Sequence, residues 1–251
     1  MFSRSRRFVA AAILLAPGAV VAQGGPPGGP PPPPKNLQVL PKDLTRPQVL
    51  QIMRGVAGAL GVRCDYCHVA NMVDGREVLD PAADDKDKKG VARDMMRMVT
   101  EINDKLAGMG RTLTPRTRVQ CETCHHGLSK PRTLQAEVTM AYEAKGADSA
   151  VARYRELRTQ YFGRASFDFG EVPLVSVAEE LSRSPEKRAD AVRLLQLNLE
   201  FNPRSAGSYG GLANIQLAMG DTATAVASLE KVLEIDPNNA QARRALGQLK
   251  K

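Results

Sequence analysis

The chain has 251 residues, 43% hydrophobic and 25% charged, enough to build one large or two small cores and too apolar for wholesale disorder. It holds four Cys, three His and no Trp, with a formal net charge of +8. Residues 35–133 carry 17 Lys/Arg against 12 Asp/Glu, and residues 134–251 carry 15 of each. The mature excess therefore sits with the cysteines, too scattered to form the basic stripes of a nucleic-acid binder.

Arg4, Arg6 and Arg7 precede an apolar run, Phe8 to Val21, that ends in Val20-Val21-Ala22. A positive start, a short apolar stretch and small residues at the end form an export signal over 1–22, with cleavage expected after Ala22. Pro17-Gly18 interrupts the run, which falls short of the ~20 apolar residues of a spanning helix. No later segment is long and apolar enough to span, so the mature chain is expected to be exported or periplasmic, with no integral membrane segment. Residues 23–34, rich in Pro and Gly, read as a semi-rigid polyproline spacer.

A helix is expected from about Thr45 to Leu60. Thr45 or Asp43 can cap it, Pro47 suits its first turn, and Gly61 follows its end. Val49, Met53, Val56 and Leu60 form its apolar stripe. Next comes Cys64-Asp65-Tyr66-Cys67-His68. A second helix, about Val91 to Leu106, carries the stripe Val91, Met95, Met98, Ile102 and Leu106, and it precedes Cys121-Glu122-Thr123-Cys124-His125.

Both five-residue runs read C-x-x-C-H and together they use every cysteine. Two thiols at this spacing reach the two vinyl groups of one haem as thioethers, and the next residue sets an imidazole beneath the iron. The pattern assigns two c-type haems, attached through Cys64, Cys67, Cys121 and Cys124, with His68 and His125 as proximal ligands. A four-cysteine zinc site or two local disulfides would leave both histidines unexplained. A thioredoxin-like pair would want a strand-to-helix context that neither motif shows. Only His126 remains as a spare imidazole, and it neighbours a proximal ligand. The distal ligand is then methionine, a soft thioether that raises the potential. Met53 and one of Met95, Met96 and Met98 are the candidates, and periodicity alone does not choose among those three or separate ligand from core filler. Arg63, Arg93, Arg116 and Arg118 flank the motifs as candidate propionate partners.

The stretches Met53–His68, Val91–Asn103 and Cys121–Gly127 resemble the cytochrome c subunit of photosynthetic reaction centres. In that family each haem unit is a helix, a turn and a C-x-x-C-H, and the helix supplies an axial Met. The family's A-R-x-M-x-x-M motif is matched by Ala92-Arg93-Asp94-Met95-Met96-Arg97-Met98. The resemblance implies Met53 for the first haem and Met95, with Met98 second, for the other. Members that serve reaction centres carry four haems, so this chain reads as a two-haem relative to which photosynthesis is not carried over.

Asn202-Pro203 and Asp236-Pro237 lie 34 residues apart, as do Ala191 and Ala225, Leu195 and Leu229, and Leu199 and Leu233. That period marks tetratricopeptide repeats. Helices are expected at about 174–183, 187–201, 205–219, 222–235 and 238–250, with Gly207, Gly210 and Gly211 a weak point inside the third. Residues 134–172 connect the units, with a helix at 151–161 that places Tyr154, Leu157 and Tyr161 on one side.

The fold class is therefore mainly α: a multihaem c-type cytochrome domain (35–133), a helical connector (134–172) and a short tetratricopeptide-like solenoid (173–251). The function expected is that of an exported carrier of single electrons between redox protein partners, with a protein or peptide ligand for the solenoid. The alternatives are a two-haem peroxidase-like enzyme with one open iron, with His126 as its acid/base, and a binding scaffold in which the haems are structural.

Overall fold

A computed structural model describes residues 32–109 and 118–250. The export signal, most of the Pro/Gly spacer and Arg116 lie outside these residues. Among the described residues no helix is long and apolar enough to cross a membrane.

Helix α1 runs Arg46–Leu60. Its N-cap is Thr45, whose N–H donates to Gln48 Oε1 at 2.8 Å. It stops at Gly61, which takes the left-handed φ of 64°. A 3-10 turn over Cys64–Tyr66 starts the first motif. An antiparallel hairpin follows, β1 (Val69–Val73) paired with β2 (Arg76–Asp80), in the register Val69↔Asp80 to Val73↔Arg76. These strands were not expected. Their two-residue turn is Asp74-Gly75, with φ of 50° and 74°, the turn chemistry that matches strand twist in a tight hairpin.

Helix α2 (Asp87–Gly108) starts a turn earlier than its stripe suggested, and α3 (Cys121–His125) is the second motif itself. Helix α4 spans Leu134–Tyr161, broken at Lys145 and Gly146, where φ reaches 76°. The connector thus holds two helices where one was expected. The rest is an antiparallel stack: α5 (Val172–Ser182), α6 (Arg188–Phe201), α7 (Ala206–Ala218), α8 (Thr222–Ile235) and α9 (Ala240–Leu249). Ser205, Asp221 and Asn239 cap α7, α8 and α9 by accepting the N–H three residues on. The glycines of α7 have one visible reason: a Cβ at Gly211 would stand 3.1 Å from Leu195 Cδ1, so the missing side chain lets α6 and α7 close on each other.

The core is unequally shared. One cluster runs without interruption from Leu134, Val138, Tyr154 and Leu157 of α4 through Leu174, Leu194 and Leu195 to Ile215 of α7. The ring of Phe169 packs edge-on to Tyr154 at 5.9 Å. A second cluster joins α7, α8 and α9 around Leu229 and Val232. Helix α4 thus shares one core with the repeats. Among the described residues up to 133, only Ala59 and Leu128 belong to the buried apolar set.

Candidate haem-binding site

The two motifs meet through backbone. Gly127 N–H, just past the second motif, donates to Ala59 O near the end of α1 at 2.8 Å. Gly61 lies so close that a Cβ there would sit 2.1 Å from Gly127 O. The first motif starts three residues after Gly61, so this crossing sets both motifs side by side. Ser166 Oγ donates to His126 O at 2.7 Å and Leu128 is buried, which seats the second motif on the α4 unit.

The imidazole of His125 has a defined tautomer. Its Nδ1 lies 2.7 Å from Leu128 O, and a carbonyl only accepts, so Nδ1 carries a proton, and in the neutral ring Nε2 is then the nitrogen with the lone pair. Fixing the ring through the other nitrogen is how a protein prepares a metal-ligating histidine. His68 differs. Its Nδ1 is buried without a hydrogen-bond partner among the described residues. Burial above all, then the charges of Lys89, Lys86 and Arg93, hold its pKa below the ordinary value, so the ring stays neutral, the form that can ligate.

All four thiols are free, with Cys64 and Cys124 exposed and Cys67 and Cys121 half-buried. Burial pushes the Cys67 thiol up, against the nearby Lys86 and Lys88. Among the described residues no three of His, Cys, Asp and Glu converge as a metal site, so the fold does not bring the cysteine pairs together as a zinc cluster. Lys86 Nζ donates to Asp65 O inside the first motif, and the Lys88 ammonium lies 6.0 Å from the Tyr66 ring centre.

The methionines divide by face. At about 100° per residue, Met95 and Met98 share a stripe of α2 with Val91, Ile102 and Leu106, whereas Met96 lies about a third of a turn away. Val91, Met95 and Met98 are exposed, and Met96 is half-buried on the side that meets the rest of the chain. Met95 and Met98 thus lie on the exposed face of α2 and Met96 on the half-buried one. Met53 is half-buried on α1. Of the candidate propionate partners, Arg93 is engaged by Asp84 at 2.9 Å and Arg63 by Asp65 at 3.5 Å, while Arg118 is exposed.

Sequence reading missed two features around α2. Lys89 is buried, and its ammonium donates to the carbonyls of Pro81, Ala82 and Ala83 and pairs with Asp84 at 2.7 Å. Asn103 holds Val119 from both sides, accepting from its N–H at 2.8 Å and donating to its carbonyl at 2.9 Å. A lone Lys or Asn on a helix reads as solvated, so neither carried a signal. The hairpin did have one in Asp74-Gly75.

The residues fit haem. The thiol pairs have the thioether spacing, an imidazole held through its Nδ1 follows at His125, and Val91 with the thioethers of Met95 and Met98 is exposed on α2. Such a donor set, repeated and joined to helical repeats, defines a c-type cytochrome, whose haem is covalently bound. Residues 8–186 match the family described as photosynthetic reaction centre cytochrome C subunit, and the chain belongs to that family. Residues 184–249 match a tetratricopeptide repeat family. Cytochrome c-554 of Chloroflexus aurantiacus is 34% identical over 101 residues, 40% of this chain. The match spans about a fifth of that relative, 22% of its length. A solved structure, the first tetratricopeptide domain of Spaghetti (RPAP3) bound to an HSP90 peptide, overlaps 47% of this chain and 87% of its own at 21% identity, with a TM-score of 0.32.

Proposed function

We propose that the mature protein is an exported two-haem cytochrome that passes single electrons between redox protein partners, its repeats serving as an interaction domain. The observation that carries this is the pair of C-x-x-C-H turns set side by side by the Gly127–Ala59 bond, with the His125 proton committed to Leu128 O. Haem, once attached, supplies a one-electron couple whose potential the axial ligands, burial and nearby charge set.

The chain's part is to hold. Cys64, Cys67, Cys121 and Cys124 would fasten the two haems, and His68, His125, Met53 and Met95 would supply the protein ligands. Held by His68 with Met53 and by His125 with Met95, such haems would supply one-electron chemistry and would leave no ligand position for a substrate. Proximity of the two motifs shortens the transfer between them. Lys86 and Lys88 add positive charge beside the first motif.

The repeats follow a ligand-binding architecture, stacked helix pairs that expose a concave face, so a protein or peptide is their proposed partner.

Mass spectrometry of the exported protein with optical spectroscopy tests the reading. The expected result is a mature mass beginning at Gln23 plus two haems, low-spin in both oxidation states. One haem, or none, overturns the two-site assignment. A high-spin iron that answers to peroxide overturns the carrier.

A further inference from the structure

Helix α2 is held at two points on one face. At about 100° per residue, Lys89, Met96 and Asn103 fall within roughly 40° of one another, and the stripe with Met95 and Met98 lies about a third of a turn away. The near end is fixed by the buried Lys89 ammonium, which gathers the carbonyls of residues 81–83. The far end is fixed by the Asn103 carboxamide, whose two bonds to Val119 close across 16 residues of sequence. Val119 is followed by Gln120, the N-cap of α3, whose N–H donates to Thr123 Oγ1 at 2.9 Å within the second motif.

We propose that Asn103 is the positioning residue of the second haem site: its carboxamide fixes the separation between the α2 stripe that bears Met95 and the loop at Val119 that leads into α3, which bears Cys121, Cys124 and His125. The inference rests on the two-haem reading above. Its geometric basis is that a carboxamide holds a donor and an acceptor side by side in one plane, and so can pair with both polar atoms of one backbone residue. Alanine at 103 leaves both Val119 atoms without that partner and removes the tie between helix and loop. Attachment of haem depends on the thiols and survives. Ligation from the opposite side depends on helix-to-loop distance and does not.

The test uses the exported holoprotein with Asn103→Ala, and Asn103→Asp as the milder variant, which keeps the acceptor for Val119 N–H and loses the donor. For Asn103→Ala the expected result is two haems by mass, half the wild-type methionine-to-iron charge-transfer absorbance, one redox couple lowered and the other unmoved. Hydrogen exchange at the Val119 amide rises at least tenfold, and thermal unfolding of α4–α9 is unchanged. Asn103→Asp shows the same changes in smaller degree, and carries the test alone if the alanine variant does not accumulate. Full charge-transfer absorbance with both couples unmoved overturns the proposal, as does equal disturbance of both haems. A wild-type mass with fewer than two haems instead sinks the reading beneath it, before any variant is compared.

Discussion

Gly61→Ala tests the crossing on which the paired motifs depend. Gly61 has φ of 64°, and an added Cβ would meet Gly127 O at 2.1 Å and Gly127 C at 2.9 Å. Alanine in the left-handed region costs about 1 kcal/mol. The backbones must also part by about 1 Å to reach van der Waals contact, which breaks the Gly127–Ala59 hydrogen bond and leaves its groups unsatisfied, about 2 kcal/mol more. The expected loss is therefore about 3 kcal/mol, large for one methyl group. Gly55 is the control: it lies inside α1 with nothing within 4 Å of its would-be Cβ. Gly55→Ala should gain about 0.5–1 kcal/mol from helix propensity and a less flexible unfolded chain. Both are read from denaturant unfolding of the holoprotein, followed at the haem absorbance. The same residue change thus has opposite signs six positions apart. A Gly61→Ala protein as stable as wild type would show that the motifs do not cross there, and the side-by-side placement of the haems would go with it.

Met95→His should keep a low-spin second haem while its potential falls by a sizeable part of the about 0.8 V that axial ligands span; an unmoved couple in a redox titration means Met95 is not the ligand. Cys121→Ala with Cys124→Ala should halve the covalent haem found by mass spectrometry, and retention of two haems refutes the two-site count. The Asp84 carboxyl is held well below the usual carboxylate range, first by the Arg93 guanidinium and also by Lys89. A depressed folded pKa contributes stability above the unfolded value near 3.9 and loses it as pH falls toward the folded one. Asp84→Asn should accordingly be less stable than wild type by a constant margin from about pH 7 to about pH 4, and the margin should narrow below that; urea unfolding at several pH values shows it, and a margin that widens in acid contradicts the pairing.

What the residues disclosed, and what they hid, follows from the range of the forces involved. Helix α1 was legible because its signals are local: Thr45 at the cap, Pro47 in the first turn and Gly61 at the stop. Helices α5–α9 were legible because a 34-residue period repeats the same local signals. The c-type cytochrome class was legible because the C-x-x-C-H spacing is set by covalent chemistry within five consecutive residues. Hidden features came from pairings distant in sequence or from a single soft position. The first half of α4 ends at Gly146, whose positive φ breaks one helix into two, and Gly inside an otherwise mixed stretch lowered its periodicity. Lys89 and Asn103 have the composition of a solvated helix face and acquire partners only when residues 81–84 and 119 fold back on them. Which of the α2 methionines lies on the half-buried face was hidden for the same reason, since it depends on which face those partners cover.

The uneven core has a consequence for how the two halves fold. Helices α4–α9 bury aliphatic side chains in two clusters between Leu134 and Leu246, whereas the described residues before 134 bury only Ala59 and Leu128 and leave Val91, Met95 and Met98 exposed on α2. A segment that covers so little of its own apolar surface gains little from collapse to set against chain entropy. A covalently held macrocycle would supply the missing apolar face, tying cofactor attachment to folding of that half alone. The full chain with all four cysteines changed to alanine should then retain native amide protection over 134–249 and lose most of it over 46–108, as hydrogen exchange resolves segment by segment. If the haem-less chain protects α1 and α2 as the holoprotein does, the polypeptide is sufficient by itself there, and the coupling of attachment to folding is wrong.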